Sequence, residues 1–553
     1  MTIRKLTIVV LLAGLLATGC AVDYSSADQQ LPAVATRVTS QTQSQFSTVT
    51  PTPIMTLWVD PDLPQAVRES IFATDQVSLE TDKNFASGWM TQLRPSSEGI
   101  ELFNQIFVLA AAFPTLEDEY TLDQIIKIWK GNQEQHLLVM EEGTYRIFSL
   151  IWGKAAESQV VRVKTDQLVA AVWENPDALA LLPFDSLDPR LKVLLVDGFN
   201  PLKKGLDVEG YPLRSRYGIQ MNPDWDQAEI NKWKEIFEEN PEVINRDESL
   251  LTSIVLTGTT ALSRNTAFVM EEKGILYPAR DIQEWLRDAD ITHISNEVPM
   301  FEGCPPAKPL REEARFCSAP RYIELFDYTG VDVIELTGNH LLDWGAEAFL
   351  STLALYDEKG YAYYGGGKTP EEGFKPLLME DNGNKIAFLG CNAVGPQQVW
   401  ASNTQPGPIK CDLNRMEGQI SQLKQDGYVV IVTFQHFELD DYRPQSSQRI
   451  DFQRVARAGA DIVSGSQAHY PQTMTFIGKN FIHYGLGNLF FDQMFAGYER
   501  EFLDEHIIYA GSYISTQIHT AMLEDFARPR PMTKEERTKL LEAVFSAAEW
   551  NIE

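Results

Sequence analysis

Positive charge is scarce in this sequence. Lys and Arg number 47 against 77 Asp and Glu, so the 553-residue chain carries a formal net charge of -30 and a pI near 4.7. Nucleic acid is excluded as a natural partner, because neutralising phosphates takes clustered Lys and Arg. The acidity suits a soluble, exposed surface and says nothing about fold. Histidine is nearly absent from the first half. Of eight, only His136 precedes His293, so His-dependent chemistry is expected in the second half. Cysteine is limited to five, and Cys304, Cys317, Cys391 and Cys411 show no C-x-x-C spacing of the kind zinc sites use.

The amino end reads as a targeting segment. Arg4 and Lys5 precede an apolar run over residues 6–16 that is too short for a good membrane span. Ala17-Thr18-Gly19-Cys20 then resembles a bacterial lipobox with its usual Leu one place early, at Leu16. The expectation is a signal peptide over 1–20 and a diacylated Cys20 that anchors the chain outside the cytoplasm, on the cell membrane; the alternative is ordinary secretory cleavage nearby. Residues 21–52, rich in Ser, Thr, Gln and Ala, read as a flexible tether. Export permits disulfides, and sequence proximity favours Cys304–Cys317 and Cys391–Cys411 among three connectivities, with a zinc site as the rival.

Length predicts two or three domains. From residue 54 the pattern is α/β. Residues 55–59 and 193–196 read as strands, and 101–112 as either strand or buried helix. Residues 121–129 read as a helix capped by Thr121 and stopped at Gly131. Leu57-Trp58-Val59 with Leu63-Pro64, Ala112-Phe113-Pro114-Thr115, Ile128-Trp129-Lys130-Gly131, and Leu182-Pro183-Phe184-Asp185 followed by Leu191 to Gly198 carry a resemblance to type-2 periplasmic solute-binding proteins such as phosphate-binding proteins. It covers about residues 54–220 within a domain expected over 53–245. The resemblance implies a module that binds a small anion; the alternative is a spacer or docking domain, since fold alone does not give function. Residues 221–250 read as a helical connector.

A second domain is expected over 246–553. Apolar runs at 253–256, 291–294, 331–336, 385–389, 429–434, 461–463 and 481–484 read as strands, each followed by polar residues. Thr533 and Glu536 are spaced as a capping box for a last helix. In the centre, Thr337-Gly338-Asn339-His340 ends a strand, and a helix-like segment opens at Asp343-Trp344. An amide oxygen and an imidazole on such a loop suit a divalent metal. The plainer reading is a turn, with His340 capping the next helix.

Ordered blocks then carry a specific resemblance. They are Gly258-Thr259, Glu297-Val298-Pro299, Gly338-Asn339-His340 with Asp343 and Gly345, His436 with Glu438, Gly459-Ala460-Asp461 before Gly465 and His469, and Tyr484-Gly485-Leu486-Gly487-Asn488. Residues 252–510 resemble the capsule-synthesis CapA family of poly-γ-glutamate production. That resemblance implies a metallo-dependent phosphatase-like fold, a four-layer α/β/β/α sandwich. It implies a cell-envelope polymer or its synthesis machinery as partner. It also implies a divalent metal (Mn, Fe or Zn) on Glu297, Asn339, His340 and His469, joined by His436 if its loop turns inward. His340 becomes the acid, with Asp343 beside it. Thr259, Gln435, Glu438, Gln467 and Asn488 become candidate substrate-binding groups. Three departures weaken a two-metal site. Thr259 replaces an Asp, the Gln435-His436-Phe437-Glu438 run is one residue short of His-Trp-Gly-x-Glu, and Gln467 replaces a His. The two functions expected are therefore a metal-dependent phosphoesterase-like hydrolase and a non-catalytic polymer- or ligand-binding lipoprotein.

Overall fold

The apolar runs become strands whose alternate side chains enter different cores, as a period of two requires. In the computed structural model, which describes residues 55–71, 76–95, 98–132, 135–237, 240–309 and 315–551, two sheets lie face to face in the second half. The expected signal peptide, Cys20 and the tether lie outside the described residues.

The first of these sheets has eight strands. Leu251–Thr257, Ile291–Asn296, Val333–Glu335 and Ala362–Tyr364 run parallel, and the hairpin Arg500–Tyr509/Ser512–Glu524 joins the edge of Leu251–Thr257 antiparallel. The second has six, with Asn384–Asn392, Val429–Gln435, Ile462–Ser464 and Asn480–His483 parallel. Ile254, Leu256 and Val333 from one sheet share a core with Ile386, Phe388, Ile431 and Ile462 from the other. The opposite faces are covered by helices. Val255, Ile294 and Ile334 meet Met270, Leu286 and Phe349, while Val430 and Val432 meet Met416, Ile420 and Phe452. The layer order is helix, sheet, sheet, helix.

The first half builds an eleven-stranded mixed sheet. Its longest strand is Gly99–Ala112, which pairs with Arg214–Gln220 and Ala178–Pro183. That resolves the open choice between strand and helix, since nearly every residue of the segment is buried by neighbours on both sheet faces. Thr121 caps Leu122–Trp129 in a reciprocal box with Gln124, and Gly131 follows at φ +75°. The connector read as helical holds the helix Gln227–Phe237, but it then returns a short strand, Glu242–Val243, to the edge of Gly99–Ala112. Trp233, fully buried, pins that helix to the sheet, so the chain re-enters before leaving for the second half.

The two halves share apolar packing. Phe113, from the Ala112-Phe113-Pro114-Thr115 segment, is buried against Phe476 and Phe481, each at 5.3 Å between ring centres, and against Trp550. Asp118 pairs with Arg537 at 2.9 Å and Lys203 with Glu505 at 2.6 Å. The cysteines pair as Cys304–Cys317 and Cys391–Cys411, the connectivity that proximity favours, so none of the four is left for zinc. Among the described residues no helix is long and apolar enough to cross a membrane.

Candidate functional site

Parallel strands bring their carboxyl ends to one edge, so loops distant in sequence converge there. The junction between the sheets is made by amides. Asn392, ending one strand, donates from Nδ2 to the Thr337 carbonyl (2.8 Å) and to Gln435 Oε1 (2.9 Å). Gln435 in turn donates to Asn339 Oδ1 at 3.0 Å. Two glycines permit the tight backbone contacts behind the site. A Cβ on Gly258 would stand 2.0 Å from the Gly487 carbonyl oxygen, and one on Gly465 would stand 1.8 Å from that of Tyr484. Only hydrogen fits in either place.

Glu297 lies at the centre. It follows the strand Ile291–Asn296, is 1% exposed, and neither of its carboxylate oxygens has a hydrogen-bond partner. His469 Nε2 stands 3.6 Å from Oε1, an ion-pair distance. Burial would raise the Glu297 carboxyl, but the positive charge of His469, and behind it His340 and Arg264, outweighs burial and holds it below its usual range. Burial likewise opposes charge on His469, yet Glu297 and Glu438 draw its imidazolium up to about 10. Glu438 accepts from the backbone N–H of His469 (2.6 Å) and of Tyr470 (3.1 Å); burial is the main cause of its raised carboxyl.

Both imidazoles are held from behind. His340 Nδ1 meets Asp343 Oδ2 at 2.8 Å, and His469 Nδ1 meets Asn488 Oδ1 at 2.9 Å. Burial lowers His340, but the hydrogen bond to Asp343 and the charge of Glu297 win and raise it. His340 packs on Phe316 at 4.4 Å and His469 stacks on Phe491 at 5.1 Å between ring centres. His340 is not a helix cap. The following helix is Gly345–Lys359, starting two residues after Asp343, and Trp344 takes the N-cap position without a side-chain bond.

Of the sequence-predicted set, the structure brings Glu297, His340, Asp343, Glu438, His469 and Asn488 together, with Asn339 tied in through Gln435. His436 is a correction: it does not turn inward. Alternation along the strand end points Gln435 toward Asn339, so His436 faces the other way, with Nε2 3.0 Å from Asp451 and its ring against Phe452. Thr259 is buried with its hydroxyl 3.5 Å from the Ser466 carbonyl, a backbone-facing position. Gln467 is buried with neither amide atom partnered. Asn488 orients His469, and its amide N–H groups go to Gln493 and the Tyr498 carbonyl.

Arg264 is not legible from the motifs. Its guanidinium lies over both Phe316 (4.7 Å) and Phe491 (4.9 Å), the two rings that support the imidazoles, and Asp492 accepts from its Nε at 3.2 Å. It sits at φ +49°, unusual for a residue with a side chain. No local pattern announces a ring-to-guanidinium contact. Asn392 and Asp451 also escape the motifs, although Asn392 ends a predicted strand and the strand-end rule reaches it.

The donor set can be tested against a divalent cation. Glu297 offers two carboxylate oxygens without hydrogen bonds, and each imidazole has Nδ1 tied to an oxygen acceptor, which leaves Nε2 of His469 as the candidate ligating atom and Nε2 of His340 to carry a proton. That outer arrangement is the one metal-ligating histidines use. Against it, among the described residues no group of three or more His, Cys, Asp or Glu is placed to hold a metal ion together. The chemistry of these donors would suit one cation at most, completed by neutral amide oxygens, and lacks the carboxylate and imidazoles a metal pair needs.

Comparison with known proteins agrees with this geometry. Residues 253–493 match the family described as bacterial capsule synthesis protein PGA_cap. Capsule biosynthesis protein CapA of Bacillus anthracis is 24% identical over 274 residues, 47% of this chain and 64% of the relative. PGA biosynthesis protein CapA of Bacillus subtilis (strain 168) is 24% identical over 258 residues, 46% of this chain and 67% of the relative. The chain thus spans about two thirds of these relatives' length. Among solved structures, a phosphate transport receptor from Vibrio cholerae is 14% identical and covers 33% of this chain and 93% of its own, with a TM-score of 0.26. The NAD nucleotidase NadN of Haemophilus influenzae is 12% identical and covers 54% and 57%, with a TM-score of 0.31. At those scores neither structure bears on ligand or activity. The sequence match and the convergent strand ends coincide over the same residues, and over 253–493 the chain is similar to the bacterial capsule synthesis family PGA_cap and to CapA proteins.

Proposed function

We propose that this protein works at the cell surface in making or exporting a poly-γ-glutamate type capsule polymer, and that the Glu297 cleft is its working centre. The single observation that carries the centre is the buried carboxylate of Glu297, whose oxygens face two oriented imidazoles and have no hydrogen-bond partner. A buried carboxylate with no hydrogen bond and a single ion-pair partner is costly, which favours a place for a cation. Glu297 and His469, with Asn339, would hold one divalent ion of Mn, Fe or Zn. Such an ion supplies charge stabilisation to a phosphoryl oxygen and acidifies bound water. The chain's own residues do the rest. Asp343 fixes the His340 ring so that Nε2 presents a proton toward the cleft, where a leaving-group oxygen takes it. Phe316 and Phe491 wall the imidazoles and keep water from their faces.

The lipobox-like Ala17-Thr18-Gly19-Cys20 supports a lipid anchor with extracytoplasmic placement. For the first half, the burial of Phe113 against the second half favours a docking module over a free small-anion binder. A second reading, a cleft that binds polymer without turnover, is favoured by the outward His436 and the neutral Thr259 and Gln467.

Two assays test the proposal. Metal-supplemented protein is expected to hydrolyse generic phosphomonoesters or diesters, and host cells carrying Glu297→Gln are expected to show less surface polymer. Hydrolysis absent under every metal, with polymer still reduced, selects the binding reading. Unchanged polymer contradicts the role itself.

A further inference from the structure

Another cavity, of about 130 Å3, shares Phe316 with the site just described. Four cations line it, Arg264, Lys308, Arg315 and Arg321, and no carboxylate does among the described residues. Two of the four are neutralised from outside, Arg264 by Asp492 and Arg321 by Glu271. Among the described residues Arg315 has only neutral partners, donating from Nε to the Asp343 carbonyl at 3.1 Å with its guanidinium over Trp344. Lys308 is exposed and forms no ion pair among the described residues.

The lining also holds an unanswered polar group. Ser263 is 4% exposed, and its buried hydroxyl has no hydrogen-bond partner. It stands at the N-cap of the ten-residue helix Arg264–Lys273 without making a side-chain cap. The helix start itself is already answered, since the backbone N–H of Asn265 donates to Asp492 at 3.1 Å. A buried hydroxyl without a partner and two cations without an ion pair among the described residues, around one small cavity, ask for the same thing, an anion.

We propose that this cavity is an anion-binding cradle that takes a side-chain carboxylate of an acidic polymer while the polymer's neighbouring units lie in the Glu297 cleft. This rests on the polymer role proposed above. A chain of net charge -30 repels a polyanion over most of its surface, so a local cationic cradle decides where the polymer makes contact. The cradle is coupled to the cleft through Arg264, which spans the rings under His340 and His469. The disulfide Cys304–Cys317 lines it and fixes Phe316 and Arg315 beside one another.

The test is calorimetric titration of the full-length chain with a γ-linked glutamate oligomer, comparing wild type with the exposed double variant Lys308→Gln/Arg315→Gln. The expected result is roughly tenfold weaker binding in the variant, with a shallower salt dependence. Ser263→Ala is expected to weaken binding as well. Equal affinity in wild type and double variant overturns the cradle and leaves the polymer role standing. No binding by wild type overturns the polymer role and the cradle's ligand with it. Inorganic phosphate is the second probe: if it binds in a Lys308- and Arg315-dependent way while the oligomer does not, the carboxylate assignment is overturned.

Discussion

His469 stands 3.6 Å from Glu297 inside the protein, and that single ion pair is what the carboxylate has in place of hydrogen bonds. Glu297→Gln removes the anion and leaves a buried imidazole that must discharge. The expected cost is about 1–3 kcal/mol of stability by chemical denaturation, below the full penalty of a broken buried pair because His469 can lose its proton. A neutral effect would mean that the pair is not formed in solution.

His340 and Asp343 should separate kinetically. His340→Ala is expected to lower turnover on a phosphoester by a factor of about 10²–10⁴, the usual worth of a positioned general acid. Asp343→Asn keeps the ring in place and should lose less, with kcat rather than KM affected. Steady-state kinetics on both variants check this, and equal losses would place Asp343 in contact with substrate.

Acid stability reports on the contact between the halves. Burial pushes the Asp118 carboxyl up, but Arg537 and Lys192 override it and hold it at about 2. Its folded value lies below the unfolded one, so the stability it adds is present above about pH 4 and is lost as pH falls toward about 2. Asp118→Asn should therefore flatten the melting temperature between those values. An unchanged acid limb would show that the two halves do not rely on this pair.

Gly465→Ala tests the close approach behind the site. Its methyl would fall 1.8 Å from the Tyr484 carbonyl oxygen, a backbone atom that cannot rotate away. The expectation is a loss of about 1–3 kcal/mol or more, with weakened ligand binding because Gly465 leads into His469. Wild-type stability would contradict the packing described.

Much of the fold is legible in the sequence. The strand ends at Thr257, Asn296, Gln435 and Ser464 follow from apolar runs that stop at polar residues, and the capping boxes at Thr121 and Thr533 are local patterns with local causes. Glu297, His340 and His469 can be named because each follows such a run. What stays hidden depends on three-dimensional neighbours. Gln435 and His436 are adjacent, and only the register of one strand decides which enters the cleft. Arg264 reaches the site through Phe316 and Phe491, which lie far from it in sequence. Phe113 belongs to a segment that carries the solute-binding resemblance, and only the tertiary packing reveals that the second half covers it.

The most direct measurement is elemental analysis of the purified protein for Mn, Fe and Zn, alongside Glu297→Gln and His340→Ala. A cation at Glu297 predicts roughly one equivalent per chain, abolished by Glu297→Gln and reduced by His340→Ala through the loss of a neighbouring imidazole. No metal, even after incubation with each ion, would contradict a cation at Glu297 and leave the cleft as a binding site alone.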